Sequence, residues 1–196
     1  MLILYSMIIV VTFSVFSILI LKNYKTTQIK NVEIRLFQTA NIVADTYKQN
    51  IDDVIFTKMM LKNYAEQAGA RILILDANKK VIMDSYYNYI DQTIDNEEIR
   101  NSLKGQSSSS IYTLQDREVL QISVPISINT TENTSIKGAV LISSDLEPIN
   151  KNVDSLKDHI FKIAISALLI SLLLTVIVTN SVTSPLRELT LAVEKI

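Results

Sequence analysis

The chain has 196 residues, a net charge of −1 and a hydrophobic fraction of 48%. The near-zero charge leaves no basic surface that would indicate a nucleic-acid partner. The chain contains no cysteine, so a folded domain cannot rely on disulfides and must bury its own hydrophobic core. Glycine and proline occur three times each, and so few breakers predict long regular elements.

Two long apolar segments lie near the ends of the chain. The first, Leu2–Leu21, has no charged residue and is as long as a helix that crosses a bilayer core, roughly 20 residues. No lysine or arginine precedes it and no small-residue cleavage site follows it, which favours a retained helix over a cleaved signal peptide. The second segment begins near Ile160, and the long side chain of Lys162 can extend to the membrane interface.

We therefore expect a two-pass protein of the cell membrane, with spans at residues 1–22 and 160–179 and a domain of residues 23–159 between them. Two signals for its orientation disagree. Only Arg187 and Lys195 follow the second span, whereas six lysines flank the middle domain: Lys22, Lys25, Lys30, Lys151, Lys157 and Lys162. That count alone favours a middle domain inside the cell. Residues 180–196, which follow the second span, favour the opposite orientation because of a family resemblance described below.

An apolar stripe at helical spacing follows the first span. Its members are Leu36, Ala40, Val43, Tyr47, Ile51, Val54, Leu61, Ala65 and Ala68. The spacing predicts a long helix over residues 24–68 with a near-heptad repeat, which favours a homodimer paired along the stripe. The competing interpretation is that the stripe packs on the chain's own sheet. Residues 50–53 favour a bend, and Gly69 predicts the end of the helix.

The hydrophobic period then changes to that of strands. Residues 71–76 are an apolar run typical of a central strand buried on both faces, and residues 81–85 follow as its hairpin partner. A short helix is predicted at 95–105, with Asp95 as its N-cap. Three more strands are predicted at 111–114, 118–128 and 137–144, the second of them ending at a sheet edge because it contains Pro125. The predicted fold class is α+β, with two transmembrane helices flanking a long N-terminal helix and a five-stranded antiparallel sheet.

Residues 180–196 carry a motif of a different kind. Pro185 stands at the exit of the second span, and Leu186, Leu189, Val193 and Ile196 follow it at helical spacing. The stretch resembles the start of a HAMP linker, the signal-relaying coiled coil that follows the last transmembrane helix of bacterial receptors. HAMP linkers are cytoplasmic, so the resemblance implies that the middle domain is extracytoplasmic and that these five residues relay a signal.

The middle domain resembles the PAS-like, or single Cache, sensor domains of membrane-bound histidine kinases. The similarity lies in the stretches 71–76, 81–85 and 119–126, in their order and in the flanking spans. It implies the sensing and relay module of a two-component system. The kinase core, which uses ATP and Mg²⁺ and phosphorylates a response regulator, is not in this chain. A chemoreceptor module and a non-catalytic bitopic binding protein are the alternatives, and residues beyond Ile196 would decide between them.

The resemblance also implies a ligand site where the segment after the second strand lies over the sheet. The sequence Tyr86-Tyr87-Asn88-Tyr89 occupies that segment, and Gln121 and Ser123 alternate with the apolar face of their strand. The candidate ligand-binding residues are Asp84, Tyr86, Tyr89, Arg117, Gln121 and Ser123, and the stimulus is a small molecule, a peptide or a protein. The competing interpretation is that the tyrosines only pack, with rings inward and hydroxyls outward.

The sequence predicts no catalytic residue, cofactor or metal site. His159, the single histidine, lacks the acid and proline that follow the phosphoacceptor of histidine kinases, which indicates an interfacial residue. One histidine without cysteine argues against a transition-metal site. Asp91, Asp95, Glu97 and Glu98 form an acidic cluster, which is typical of a capped first helical turn on a solvated face. The alternative for this cluster is a patch that binds divalent cations or cationic peptides.

Overall fold

A computed structural model of the chain describes residues 2–114, 117–129 and 134–178. The chain divides into two units, one of Met1–Lys22 with Asn152–Ile196 and the other of Asn23–Lys151. Among the described residues the helices are α1 (Leu2–Gln49), α2 (Val54–Ala68), α3 (Glu97–Leu103) and α4 (Glu147–Val178). The strands are β1 (Arg71–Asp76), β2 (Val81–Asp84), β3 (Ser108–Leu114), β4 (Arg117–Asn129) and β5 (Thr134–Asp145).

The unit of Met1–Lys22 and Asn152–Ile196 contains the first part of α1 and most of α4. Large apolar side chains are exposed along both helices, as Phe16 and Leu173 illustrate. The hydroxyls of Ser14 and Ser17 donate to carbonyl oxygens four residues earlier, so the helix itself satisfies them. Across residues 2–114, 117–129 and 134–178, none of the helices combines the length and the hydropathy that a membrane span requires.

The break between α1 and α2 falls where the sequence predicts a bend. The Asp53 carboxylate accepts a 2.9 Å hydrogen bond from the Phe56 N–H and so caps the start of α2. Gly69 ends α2 in the left-handed conformation, at φ 60°, which favours glycine. The long predicted helix is therefore two helices, and the predicted bend and stop are both confirmed.

The five strands form one antiparallel sheet in the order β2-β1-β5-β4-β3. β1 lies between β2 and β5, and its inner residues are buried, as predicted for a central strand. The last pair between β3 and β4 joins Ser108 to Ser123. Pro125 therefore lies on a stretch of β4 that pairs with β5 alone, and its predicted edge position is confirmed.

Helices cover both faces of the sheet. Ser109 donates a hydrogen bond to Glu33 of α1, whereas Tyr112, whose side chain points to the other side of β3, donates to Glu98 of α3. One side is therefore the α1 face and the other the α3 face. Leu36 and Val43 of the apolar stripe are 0% exposed within the single chain. This part of the stripe packs on the chain's own sheet, as the competing interpretation predicted, whereas Ile51 and Val54 are 48% and 49% exposed. Leu36 and Val43 are therefore unavailable as a seam between two copies.

A cluster of apolar side chains fixes α3 against the sheet. Ile99 packs with Leu73, Leu75, Val81 and Leu141, and Ile94 and Leu103 lie against this cluster. The N-cap of α3 is Asn96, whose side-chain oxygen accepts a 2.9 Å hydrogen bond from the Ile99 N–H. The prediction that Asp95 caps the helix is wrong, because its carboxylate instead pairs with Lys79 and Arg100.

Candidate functional site

Cross-strand pairing determines which side chains share the α3 face. Asp84 lies opposite Leu73, Leu73 opposite Leu141, Leu141 opposite Ser123 and Ser123 opposite Ser108. Directly opposed residues point to the same side of a sheet. One row of side chains on the α3 face therefore crosses all the strands, with polar groups at both ends and leucines in the middle.

At the β2 end of this row, Asp84 organises the segment that follows it. We call residues 85–96, which connect β2 to α3, the strap. The Asp84 carboxylate is fully withdrawn from solvent and accepts backbone hydrogen bonds from Tyr86 at 2.9 Å, Asn88 at 2.8 Å and Tyr89 at 3.0 Å. Hydrogen bonds to a carboxylate are about twice as strong as those between neutral groups. Asp84 is thus occupied in holding the strap, rather than open to a ligand.

Two strap residues have strained backbone conformations, which the hydrogen bonds to Asp84 stabilise. Tyr87 adopts the left-handed conformation at φ 61°, which is unfavourable for a bulky side chain. Asp91 does the same at φ 68°, where an aspartate is better tolerated. Because the Asp84 carboxylate bonds three backbone N–H groups of the strap, the strained conformation of the strap depends on that carboxylate.

Arg71, which begins β1, completes the anchor. Its Nε lies 3.5 Å from Asp84 Oδ1, and its guanidinium lies over the rings of Tyr86 and Tyr89, 5.2 and 4.5 Å from their centroids. With the Asn88 amide turned so that its oxygen faces Arg71, that oxygen accepts a 3.0 Å hydrogen bond from Nη2. Tyr86 and Tyr89 are 53% and 39% exposed, so their rings pack against Arg71 near the surface and are not enclosed in the core.

Three ion pairs link the outside of the strap to its neighbours. Lys80 pairs with Asp91 at 2.7 Å, Lys79 with Asp95 at 2.9 Å and Arg100 with Asp95 at 2.9 Å. The hydrogen bond from Lys79 is the main cause that lowers the pKa of Asp95, and the hydrogen bond to Asp91 raises the pKa of Lys80. Solvent screens exposed pairs of this kind, so they contribute little to the stability of the fold.

The other end of the row faces α3. Glu98 is only 1% exposed, and its two carboxylate oxygens accept from the Tyr112 hydroxyl at 3.0 and 2.8 Å. Burial raises the pKa of Tyr112, and the hydrogen bond to Glu98 and the negative charges of Glu98 and Glu97 raise it further. The interpretation of the acidic cluster as a solvated helical turn is therefore wrong for Glu98 and right for Glu97, which is exposed.

Buried hydroxyls continue from Glu98 along the same side of α3. Ser102 follows Glu98 by one helical turn, and Ser102 and Ser123 are both 0% exposed. Among the described residues, the hydroxyls of Ser102, Ser108 and Ser123 have no hydrogen-bond partner, although all are buried. We call Glu98, Ser102, Ser108, Tyr112 and Ser123 the polar strip. Buried polar groups are nearly always hydrogen-bonded, so unpartnered hydroxyls on three elements indicate a place for a polar molecule.

The structure separates the predicted site residues into three groups. Asp84, Tyr86 and Tyr89 meet at the strap, and Ser123 joins the polar strip. Gln121 lies close by, where its Oε1 accepts a 2.9 Å hydrogen bond from Asn96 Nδ2. Arg117 is exposed at the start of β4, where its charge acts on Glu147 and Lys151 of α4, so it is not brought together with the others.

The proposed relay residues Pro185, Leu186, Leu189, Val193 and Ile196 lie outside the described residues. His159 is exposed on α4, and its Nδ1 lies 2.7 Å from the carbonyl oxygen of Ser155.

In the sequence, Glu98 is singled out only as part of the acidic cluster, and Arg71, Ser102, Ser108 and Tyr112 are not singled out. One signal was available for Arg71, because it alternates with Leu73 and Leu75 and so shares their face. No comparable signal marked the others, since a first-turn acid and a serine run next to a strand are common on solvated surfaces. Taken together, the α3 face carries a buried carboxylate, unpartnered hydroxyls, a phenol and apolar side chains.

No protein-family model and no curated protein match the chain. Solved structures do resemble it in fold. The E. coli DcuS sensor domain matches with a TM-score of 0.53 at 15% identity, over 64% of this chain and 96% of that one. The sensor domain of the V. cholerae histidine kinase DctB matches with a TM-score of 0.50 at 17% identity, over 64% of this chain and 52% of that one.

An extracellular ligand binding receptor from Desulfohalobium retbaense DSM5692 matches with a TM-score of 0.51 at 12% identity, over 63% of this chain and 24% of that one. The chain thus spans about half of the DctB domain and a quarter of the receptor chain. At these identities the likeness is one of fold. The predicted α+β arrangement, a long N-terminal helix with a five-stranded antiparallel sheet, is confirmed as a sensor-domain fold.

Proposed function

We propose that the chain is the sensing module of a membrane receptor, in which residues 23–159 bind a small molecule outside the cytoplasm. The observation that carries the proposal is the set of unpartnered buried hydroxyls on the α3 face of a fold shared with the DcuS and DctB sensor domains. A buried polar group without a partner costs about 1–3 kcal/mol, which a bound ligand would recover.

The proposed binding face assigns different roles to the predicted site residues. Ser123 and Gln121 would contact the ligand, since one has a free hydroxyl and the other lies beside it on β4. Asp84, Tyr86 and Tyr89 would act indirectly, by holding the strap next to the site. Arg117 has no role in it.

A ligand screen tests this proposal directly. The purified chain in detergent would be heated with a set of small polar molecules, and ligands would be detected by a rise in Tm. Stabilisation should be lost in Ser123→Val and Gln121→Leu and kept in the control Arg117→Gln. Stabilising molecules whose effect survives both α3-face substitutions would place binding elsewhere and refute the assignment.

Membrane attachment through residues 1–22 and 160–179 is part of the proposal and rests on the two apolar runs in the sequence. The orientation rests on the HAMP-like start at residues 180–196. Alkaline phosphatase fused after Asn129 should be active, because the enzyme folds only outside the cytoplasm. An inactive fusion there, together with an active one after Ile196, would reverse the topology.

The proposed output is a two-component histidine kinase that would signal to a response regulator. The likeness in fold to the sensor domain of the histidine kinase DctB supports it. ATP, Mg²⁺ and the response regulator would bind a kinase core outside residues 1–196, and the relay would pass through Pro185 and the apolar residues after it. Purified 1–196 should therefore not be labelled by radioactive ATP. Labelling would refute the proposal that the kinase core lies outside these residues.

The expected homodimer remains part of the proposal, with a different contact surface. Ile34 and Ile42 are 46% and 48% exposed on the side of α1 that faces away from the sheet, whereas Val43 is 0% exposed. Because the chain has no native cysteine, single cysteines can be compared cleanly. Oxidation in membranes should crosslink Ile42→Cys and not Val43→Cys, and equal yields at these neighbours would reject the pairing surface.

A further inference from the structure

The charges around the α3 face are unequally compensated. Arg71 is committed to Asp84, Lys80 to Asp91, and both Lys79 and Arg100 to Asp95. Within the described parts of the chain, no lysine, arginine or histidine forms an ion pair with Glu98. The partner of its carboxylate is the neutral hydroxyl of Tyr112. A buried carboxylate without a cation is costly, and the described structure provides it none.

The surroundings of Glu98 can bond the rest of a ligand. Ser102 lies one turn along α3, and the paired strand residues Ser108 and Ser123 lie on the sheet below the helix. Their buried hydroxyls can each donate and accept a hydrogen bond, and the described residues use neither capacity. A ligand with one cationic end and one hydroxyl or amide would match a strip that has one carboxylate and several hydroxyls.

We propose that the polar strip binds a small primary amine, with Glu98 receiving the ammonium group and Ser102, Ser108 and Ser123 bonding its polar end. This names the ligand class of the sensor and rests on the function proposed above. An ammonium group has three N–H donors, which can reach the Glu98 carboxylate and neighbouring oxygens together. An anionic ligand would instead face the buried carboxylate of Glu98, and like charges in a buried site repel.

The negative field in this region agrees with the assignment. Glu98 and Glu97 both raise the pKa of Tyr112 by their charge, so the potential at the strip is negative. A cation is drawn into such a region and an anion is kept from it.

Three probes of similar size distinguish cationic, neutral and anionic ligands: ethanolamine, ethylene glycol and glycolate. Titration calorimetry on the full chain in detergent should show ethanolamine binding, with ethylene glycol at least tenfold weaker and no heat from glycolate. Glu98→Gln should weaken ethanolamine at least about tenfold, since removing one partner of a buried charge pair costs more than 1.4 kcal/mol. Glutamine keeps the size of glutamate and an oxygen for Tyr112, which favours folding.

Glu97→Gln is the matched control. It removes the same charge one residue away, on the exposed side of the helix, and should leave ethanolamine affinity within about twofold. Ser102→Ala gives a second test at the other end of the strip and should weaken binding severalfold at unchanged Tm. Equal affinity in wild type and Glu98→Gln, or no ethanolamine binding, overturns the amine assignment. Glycolate or ethylene glycol binding that Ser123→Val abolishes would overturn the amine class alone and leave the sensing proposal standing.

Discussion

Glu118, near the start of β4, accepts a 2.7 Å hydrogen bond from Lys25 of α1 through its Oε2. The same oxygen accepts from Asn150 Nδ2 of α4 at 2.9 Å, and the Glu118 backbone carbonyl accepts from the Leu146 N–H at 2.9 Å. One residue of the sheet is thereby bonded to the helix that precedes the domain and to the start of the helix that follows it. A shift of β4 would therefore move its contact with α1 and its contacts at the start of α4 together.

The first prediction is a pH dependence at this junction. The hydrogen bond from Lys25, and then that from Asn150, lower the pKa of Glu118 below its ordinary 4.5. A lowered carboxyl pKa stabilises the fold fully above about pH 4.5, and this contribution is lost as pH falls through the folded-state pKa. Wild type should exceed Glu118→Gln in Tm at pH 7, and the gap should close below pH 4.5.

The size of this effect should be small. The two side chains are about a third exposed, so we expect about 0–1 kcal/mol. Lys30→Met, which removes the exposed partner of Glu33 on the same helix, is the control for a general loss of charge. A wild-type advantage that persists unchanged to pH 3 would contradict the linkage.

The second prediction concerns the anchor of the strap. Asp84→Ala should destabilise the domain by about 3–5 kcal/mol, because it frees three backbone N–H groups and leaves Arg71 without its counter-charge. Asp91→Asn removes an exposed ion pair from the same strap at a position that asparagine tolerates, and should cost far less stability than Asp84→Ala. Urea unfolding followed by circular dichroism measures both. Equal losses would show that Asp84 does not anchor the strap.

The third prediction compares two buried serines. The Ser85 hydroxyl accepts a 3.1 Å hydrogen bond from the Ile72 N–H, so Ser85→Ala should cost about 1–3 kcal/mol. The Ser123 hydroxyl has no described partner, so Ser123→Ala should leave stability unchanged or raise it. The same alanine should weaken ligand binding. A loss of stability in Ser123→Ala as large as in Ser85→Ala would mean that its hydroxyl is satisfied within the free protein.

The fourth prediction tests how closely β5 approaches β1. A Cβ at Gly138 would lie 2.1 Å from the carbonyl oxygen of Leu75, and a backbone atom cannot move aside cheaply. Gly138→Ala should therefore cost at least about 2–3 kcal/mol. Gly69→Ala meets no atom within 4 Å and carries only the strain of φ 60°, so it should cost about 1 kcal/mol. Thermal unfolding of both variants gives the comparison, and similar Tm values would count against the close approach.

Sequence periodicity predicted the sheet well and the α3 face poorly, for one physical reason. Buried strands such as Arg71–Asp76 and the break before Val54 follow from hydrophobic runs and caps, which are local. Whether the other face of a strand is also buried depends on a helix that is distant in the sequence. Ser123 alternates with apolar residues as a solvent-facing side chain would, yet α3 buries it completely.

The helix register posed a related ambiguity. A near-heptad stripe is compatible with a partner helix or with a sheet, and only the tertiary structure shows that Leu36 and Val43 lie on the sheet. The helix dipole favours acids in a first turn wherever that turn points, so the sequence alone does not show whether Glu98 is buried or solvated.

The two sides of α3 have a mechanical consequence. Ile99 and Leu103 fasten the helix to the apolar cluster, while Glu98 and Ser102, each one position earlier, carry the polar groups. A helix of seven residues has about two turns, so its polar and apolar side chains lie within one short segment. A displacement of Glu98 would therefore disturb the apolar cluster around Ile99 and, through the Arg100–Asp95 ion pair, the strap as well.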